Sequence, residues 1–177
     1  MRALSSLKIT TILFIMGILF NSCGTIPPGA VAVKSFDKAK YLGKWYEIAR
    51  FDFRFEKDLN NTTATYSLMD NGYIKVYNRG FNYITNEWKD AEGKAKFVND
   101  PTVAMLKVSF FGPFYAGYNV IALDDDYQYA LIAGSSLKYL WILAREKTIP
   151  DEIKQKYLEI AQNIGFQTEN LIWVEHD

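Results

Sequence analysis

The sequence predicts an all-β domain: eight antiparallel strands joined in order as a meander, one late α-helix packed outside the sheet, and a short final strand. Three observations predict it. From Gly43 onward, apolar residues alternate with polar ones at a period of two, the mark of half-buried strands. Turn chemistry interrupts the alternation about every 8–12 residues, at Asp70-Asn71-Gly72, Asn99-Asp100-Pro101, Phe111-Gly112-Pro113, Asp124-Asp125-Asp126 and Gly134-Ser135-Ser136. The connections are also too short for a parallel crossover, so successive strands must be antiparallel neighbours. Eight such strands form a sandwich or close as an up-and-down barrel, and closure removes the exposed edges.

The chain begins with an export signal. Arg2 and Lys8 precede the apolar run 9–20, which has signal length and falls short of the roughly 20 residues of a bilayer span. The one cysteine, Cys23, follows directly. This resembles a bacterial lipoprotein lipobox, with Phe20 and Asn21 where the common motif carries Leu and a small residue. The resemblance implies that 1–22 are removed and that Cys23 becomes a lipidated N-terminus, anchored to a membrane by several acyl chains. A plain cleaved signal with a stray cysteine is the alternative. Segment 24–33 has two prolines and no periodicity, so 23–35 is expected to be a lipidated tether. It would join the barrel at its closed end, with a reach of about 40 Å at roughly 3.3–3.6 Å per residue. The barrel domain is assigned to 36–177.

Strands are predicted at 45–54, 60–69, 73–83, 88–97, 103–111, 115–123, 128–134 and 139–145. On the first, alternation places Trp45, Glu47, Ala49, Phe51 and Phe53 inward, with Tyr46, Ile48, Arg50, Asp52 and Arg54 outward. The same rule turns Ala64, Tyr66, Ile74, Val76, Ala95, Phe97, Leu106, Val108 and Phe110 inward. It continues with Tyr118, Val120, Ala122, Tyr139, Trp141 and Leu143. The helix follows: Thr148 and Asp151 have capping-box spacing, Pro150 suits a first turn, and Gly165 suits the C-terminal stop. Ile153, Tyr157, Ile160, Ala161 and Ile164 share the face that meets the sheet. A last strand at 171–174 is expected to pair with an early one.

Composition excludes much chemistry. Lys+Arg and Asp+Glu both number 20, which gives no basic face for nucleic acid. The single histidine, His176, is next to last and has no assigned role; without another, a Ser-His-Asp triad, a His-rich zinc site and a facial iron triad are out of reach. No cofactor, metal or catalytic residue is expected.

Gly43-Lys44-Trp45-Tyr46-Glu47 resembles the G-x-W signature of the lipocalins. The stretch from Val120 through Asp124 to Tyr127 resembles their second motif, and Leu140-Trp141-Ile142-Leu143-Ala144-Arg145 their third. Three motifs in order, together with Phe55-Glu56-Lys57 and the run 107–115, make the chain similar to the bacterial lipocalins, outer-membrane lipoproteins of the apolipoprotein-D-like branch. The resemblance implies an eight-stranded barrel in which Gly43, Trp45, Asp124, Tyr127 and Arg145 close the base. It also implies a calyx for a fatty acid, lysophospholipid or similar amphiphile, serving membrane lipid maintenance at the outer membrane. Phe51, Ala64, Tyr66, Val76, Ala95, Val108, Phe110, Tyr118, Val120, Tyr139 and Trp141 are the candidate lining. A barrel filled by these side chains, an enzyme acting on lipid, and a homodimer all stay open at this point. Glu47 is the odd inward charge, read as a paired structural carboxylate rather than a head-group contact. Phe111, Pro113, Phe114 and Tyr115 would put aromatics at the mouth.

Overall fold

Strand alternation and short turns build one continuous sheet that closes on itself. A computed structural model describes residues 24–177; the expected signal 1–22 and Cys23, the expected lipidation site, lie outside the described residues. The elements are α1 (Lys38–Tyr41), β1 (Gly43–Phe51), β2 (Leu59–Leu68), β3 (Ile74–Asn82), β4 (Glu87–Phe97), β5 (Met105–Ser109), β6 (Ala116–Leu123), β7 (Tyr129–Ala133), β8 (Leu140–Ala144), α2 (Asp151–Ile164), a 3-10 turn (Thr168–Asn170) and β9 (Leu171–Trp173). Consecutive strands pair antiparallel from β1 to β8, and β1 also pairs with β8, so the barrel is closed. β9 adds to the outer part of β1.

Two bulges reverse the predicted faces. On β1 the register steps from Glu47↔Leu143 to Ala49↔Ile142, leaving Ile48 as the extra residue. On β6 it steps from Val120↔Ile132 to Ala122↔Leu131. Each extra residue turns the rest of its strand to the opposite face. Ala49 and Ala122, predicted inward, therefore join the outer cluster of Ile48, Leu131, Ile142, Tyr157, Ala161 and Phe166 beneath α2. Arg50, predicted outward, is 1% exposed. The inner cluster, from Trp45 through Tyr66, Val76, Leu106 and Val120 to Leu143, fills the lower barrel.

α2 seats Tyr157 and Ala161 against the sheet, with the Tyr157 hydroxyl donating to the Tyr129 carbonyl at 2.8 Å. Gly165, at φ 108°, ends it by donating to Ala161 and Gln162. The expected capping box is absent: Pro150 takes the N-cap position without a side-chain hydrogen bond, and Thr148 lies upstream of it. Asp151 and Glu152 in the first turn favour the helix end electrostatically instead. α1 is an element the strand pattern did not predict; the Asp37 carboxylate caps it by accepting from Ala39 N at 2.8 Å.

Segment 24–35 is no free tether. Phe36 N donates to Thr102 at the base, Val33 bonds both Val120 and Ala104, and Pro27 and Ala32 are buried. The Thr25 carbonyl accepts from Asn119 Nδ2 at 2.7 Å. The segment thus runs along the barrel wall. At the other terminus Val174 N donates to Ile48, Asn61 N donates to Glu175, and His176 Nε2 lies 2.8 Å from the Glu47 carbonyl oxygen. His176 is therefore part of a tail that fills the gap where β1 and β2 part.

Candidate functional site

The floor of the barrel is built where the first and eighth strands meet. Arg145, at the end of β8, stacks on Trp45 with Cζ 3.9 Å from the ring centroid. Its guanidinium donates to the carbonyls of Lys44 and Lys40 at 2.8 Å, Leu42 at 2.9 Å, and Tyr41 and Tyr127 at 3.2 Å. It thereby satisfies the open C-terminal end of α1, which lies across the base. Trp45 Nε1 donates to the Tyr41 carbonyl at 2.8 Å. Gly43 has φ 96°, and a Cβ there would meet Arg145 Nη1 at 3.3 Å. Asp124 Oδ1 accepts from Gln128 N and Tyr129 N and fixes the adjoining turn, while the Tyr127 hydroxyl accepts from Asp37 N. The five predicted signature residues are thus gathered at one end of the barrel.

Above this floor opens a cavity of about 690 Å³. Ala64, Tyr66, Val76, Ala95, Val108, Phe110, Tyr118, Tyr139 and Trp141 line it, as do Glu47, Phe53 and Phe55. Two predicted lining residues do not. Phe51 lies beyond the β1 bulge and packs under α2, its ring 6.1 Å from Phe166. Val120 is inside the barrel but belongs to the packed base below the cavity, fully buried. The alternative of a barrel filled to the rim does not describe this interior, where alanines stand among the aromatics.

The wall carries two polar groupings. Near the floor, three phenols form a chain, Tyr41 to Tyr118 at 2.6 Å and Tyr118 to Tyr66 at 2.8 Å. Burial raises all three above the ordinary tyrosine range, so they stay neutral. Three hydroxyl protons serve two internal bonds, which leaves one donor for a guest. On the side wall, Thr62 Oγ1 and Asn78 Oδ1 have no hydrogen-bond partner among the described residues.

The second grouping is ionic. Arg50 Nη1 donates to Glu47 Oε1 at 2.8 Å, and Arg50 Nε lies 4.0 Å from Glu56 Oε2. Trp141 Nε1 donates to that same Glu56 oxygen at 3.0 Å. Sequence reasoning named Glu47 and missed its partners. Arg50 was hidden by the bulge, and Glu56 sits in a loop where no periodicity sorts side chains. Burial raises both glutamates, with repulsion from Glu56 adding to it at Glu47; Arg50 pulls both the other way, as does the Trp141 hydrogen bond at Glu56. A carboxyl raised in the fold binds more protons folded than unfolded, so its stabilisation is full below the ordinary glutamate range and is lost as pH rises through the raised value. Stability measured by urea denaturation should therefore fall as pH increases across that window. Glu47→Gln should flatten the slope; an unchanged slope would remove the pair as its source.

These features match known proteins. Residues 36–176 match the family model described as a lipocalin-like domain. The chain is a lipocalin. Over 175 residues, 99% of its length, it is 53% identical to the outer membrane lipoprotein Blc of Citrobacter freundii, covering 98% of that protein. The Blc lipoprotein of Vibrio cholerae is 45% identical over 164 residues, 92% of this chain and 96% of its own. Rat apolipoprotein D is 38% identical over 133 residues, 71% of this lipocalin and 69% of its own chain. Among solved structures, insecticyanin of the tobacco hornworm superposes with a TM-score of 0.69 over 87% of this lipocalin and 88% of its own chain. At 20% identity it shares the fold.

Proposed function

We propose that this lipocalin holds a single-chain amphiphile, a fatty acid, lysophospholipid or similar lipid, in its calyx, and stores or carries it at the bacterial outer membrane from a lipid anchor at Cys23. The reading is carried by one observation: an apolar cavity of about 690 Å³, open at one end and closed at the other. That volume lies within the roughly 300–1,000 Å³ of sites that enclose a small ligand. Each buried methylene contributes about 0.8 kcal/mol, so a long acyl chain supports micromolar binding even after association costs. The phenol chain offers the polar end a donor. The likeness to proteins named outer membrane lipoproteins supports the location. Carriage without catalysis fits the wall, whose polar groups include the neutral phenols, Thr62, Asn78, Ser135, the carboxylates paired with Arg50, and Arg79, Lys89 and Asp90 of β3 and β4; His176 sits on the outer tail.

Native mass spectrometry after gentle purification tests the reading, with a fluorescent fatty acid as titrant. Co-purified lipid and saturable binding are the expected results; a protein that arrives empty and rejects the probe sinks the proposal. Val108→Trp, which places an indole in the cavity, should weaken binding by about tenfold or more, the worth of two lost methylene contacts at roughly 0.8 kcal/mol each.

A further inference from the structure

The four hairpins at the open end all carry exposed apolar side chains. The β1–β2 loop exposes Phe55 (55%), the β3–β4 hairpin Ile84 (69%) with Tyr83, the β5–β6 hairpin Phe111 (67%) and Phe114 (78%), and the β7–β8 turn Leu137. The rings of Phe55 and Phe111 stand 5.8 Å apart, so two of these loops already form one surface. At the opposite end the turns present Asp70, Asn99, Asp100, Asp125 and Asp126, with Leu68 the comparable apolar exposure there among the described residues; Val31, on the N-terminal segment, is exposed singly. Apolar side chains scattered singly over a surface need no explanation, but a ring of them confined to one end marks a surface that meets something apolar.

The path of the N-terminal segment identifies what that is. From the base, where Phe36 bonds Thr102, the chain runs back past Val33 beside Val120 to Thr25 beside Gly117 and Asn119. Gly117 is the second residue of β6, just past the mouth hairpin, and its N–H donates to Ser135 Oγ in the β7–β8 turn at 2.7 Å. A Cβ on Gly117 would collide with the Thr25 carbonyl oxygen, so only glycine lets the segment seat there. The chain therefore reaches the barrel at the mouth side, not at the floor. Cys23 precedes Gly24 by one Cα step, about 3.8 Å.

We propose that the apolar rim is a membrane-docking surface, and that it rests on the same bilayer that holds the acylated Cys23. The anchor and the mouth then lie on one side of the molecule, and a lipid passes between bilayer and calyx without crossing water. Aromatic side chains at headgroup level suit this role. The placement of the anchor rests on the proposed acylation of Cys23; the rim does not depend on it.

The test uses the acylated protein reconstituted in vesicles of phosphatidylethanolamine and phosphatidylglycerol. A cysteine placed by Phe114→Cys or, separately, by Asp125→Cys is labelled with a fluorophore, the sulfur of the native cysteine being blocked by its thioether-linked diacylglyceryl group. Lipids brominated along their chains then serve as quenchers. The label at 114 should be quenched several-fold more than the label at 125; equal quenching, or stronger quenching at 125, overturns the docking. In a second arm, Ile84→Ser with Leu137→Ser, rim residues outside the cavity lining, should leave fatty-acid affinity in solution unchanged and slow transfer of the same fatty acid from vesicles several-fold. Equal transfer rates count against docking, whereas wild-type protein that binds no fatty acid in solution counts against the calyx. The intact mass of the purified chain reads the anchor separately: an unacylated Cys23 overturns that part, and quenching at 114 after adding the protein to vesicles still judges the rim.

Discussion

Replacing Arg50 with alanine should destabilise the protein by about 3–5 kcal/mol, the range for removing one partner of a buried ion pair. At about 2–4 °C per kcal/mol for a domain of this size, the melting temperature falls by about 10 °C. β1 and β2 pair only from Gly43 to Tyr46. Beyond that point the strands separate, and Arg50 spans the opening, its Nη2 donating to the carbonyls of Glu56 at 2.7 Å and Leu59 at 3.0 Å. Alanine leaves two carbonyls and two buried carboxylates without their cation. Acidic pH should soften the loss, because protonated glutamates no longer need one. The combination of Arg50→Met with Glu47→Gln and Glu56→Gln separates charge from closure: recovery of most of the stability assigns the loss to stranded carboxylates. Urea denaturation reads all of these variants. A loss under about 1 kcal/mol for the alanine variant would show that the tail residues Val174 and Glu175 hold the seam by themselves.

That seam also marks where the sequence stopped being readable. The period-two pattern is faithful as long as pairing is regular, and it placed Ala64, Tyr66, Val76, Ala95 and Val108 on the cavity wall. A bulge shifts the pattern by one residue without changing composition. Neither Ile48 nor Ile121 is a glycine or proline that would announce it, so alternation alone points Ala49, Phe51 and Ala122 to the wrong face. Arg50 was placed outward because an isolated charge belongs in water by default; its burial depends on Glu47 and on Glu56, six residues away in a loop. Segment 24–35 shows no periodicity for a related reason. It pairs through single backbone contacts to Val120, Ala104 and Thr102, so no repeating face is imposed on its side chains. The base was legible because its parts are few and chemically distinct: a glycine, a tryptophan and an arginine, which closure brings together across 100 residues of chain.

The second large effect is expected at that base. Arg145→Lys keeps the positive charge and should still destabilise by about 2–3 kcal/mol, a drop of roughly 5–10 °C in melting temperature. The guanidinium is shared among five carbonyls, those of Lys40, Tyr41, Leu42, Lys44 and Tyr127, while lying flat on Trp45. An ammonium has three donors, no planar face, and no geometry that reaches both the end of α1 and the turn at Tyr127. Hydrogen bonds to a charged group contribute about 1.5–3 kcal/mol each; partial exposure and the bonds a lysine retains bring the net to the lower figure. The consequence should reach the calyx. α1 carries Tyr41, the first hydroxyl of the chain that runs to Tyr118 and Tyr66, so loosening α1 frees one end of the polar group above the floor. Two measurements separate this local opening from general unfolding. The Trp45 indole proton, bonded to the Tyr41 carbonyl, should exchange with solvent at least about tenfold faster in folded protein, and fatty-acid affinity should fall while the amides of β3 and β4 keep their protection. An unchanged indole exchange rate would mean that α1 is held by the Asp37 cap and the Trp45 bond, and that Arg145 contributes only its stacking on the ring.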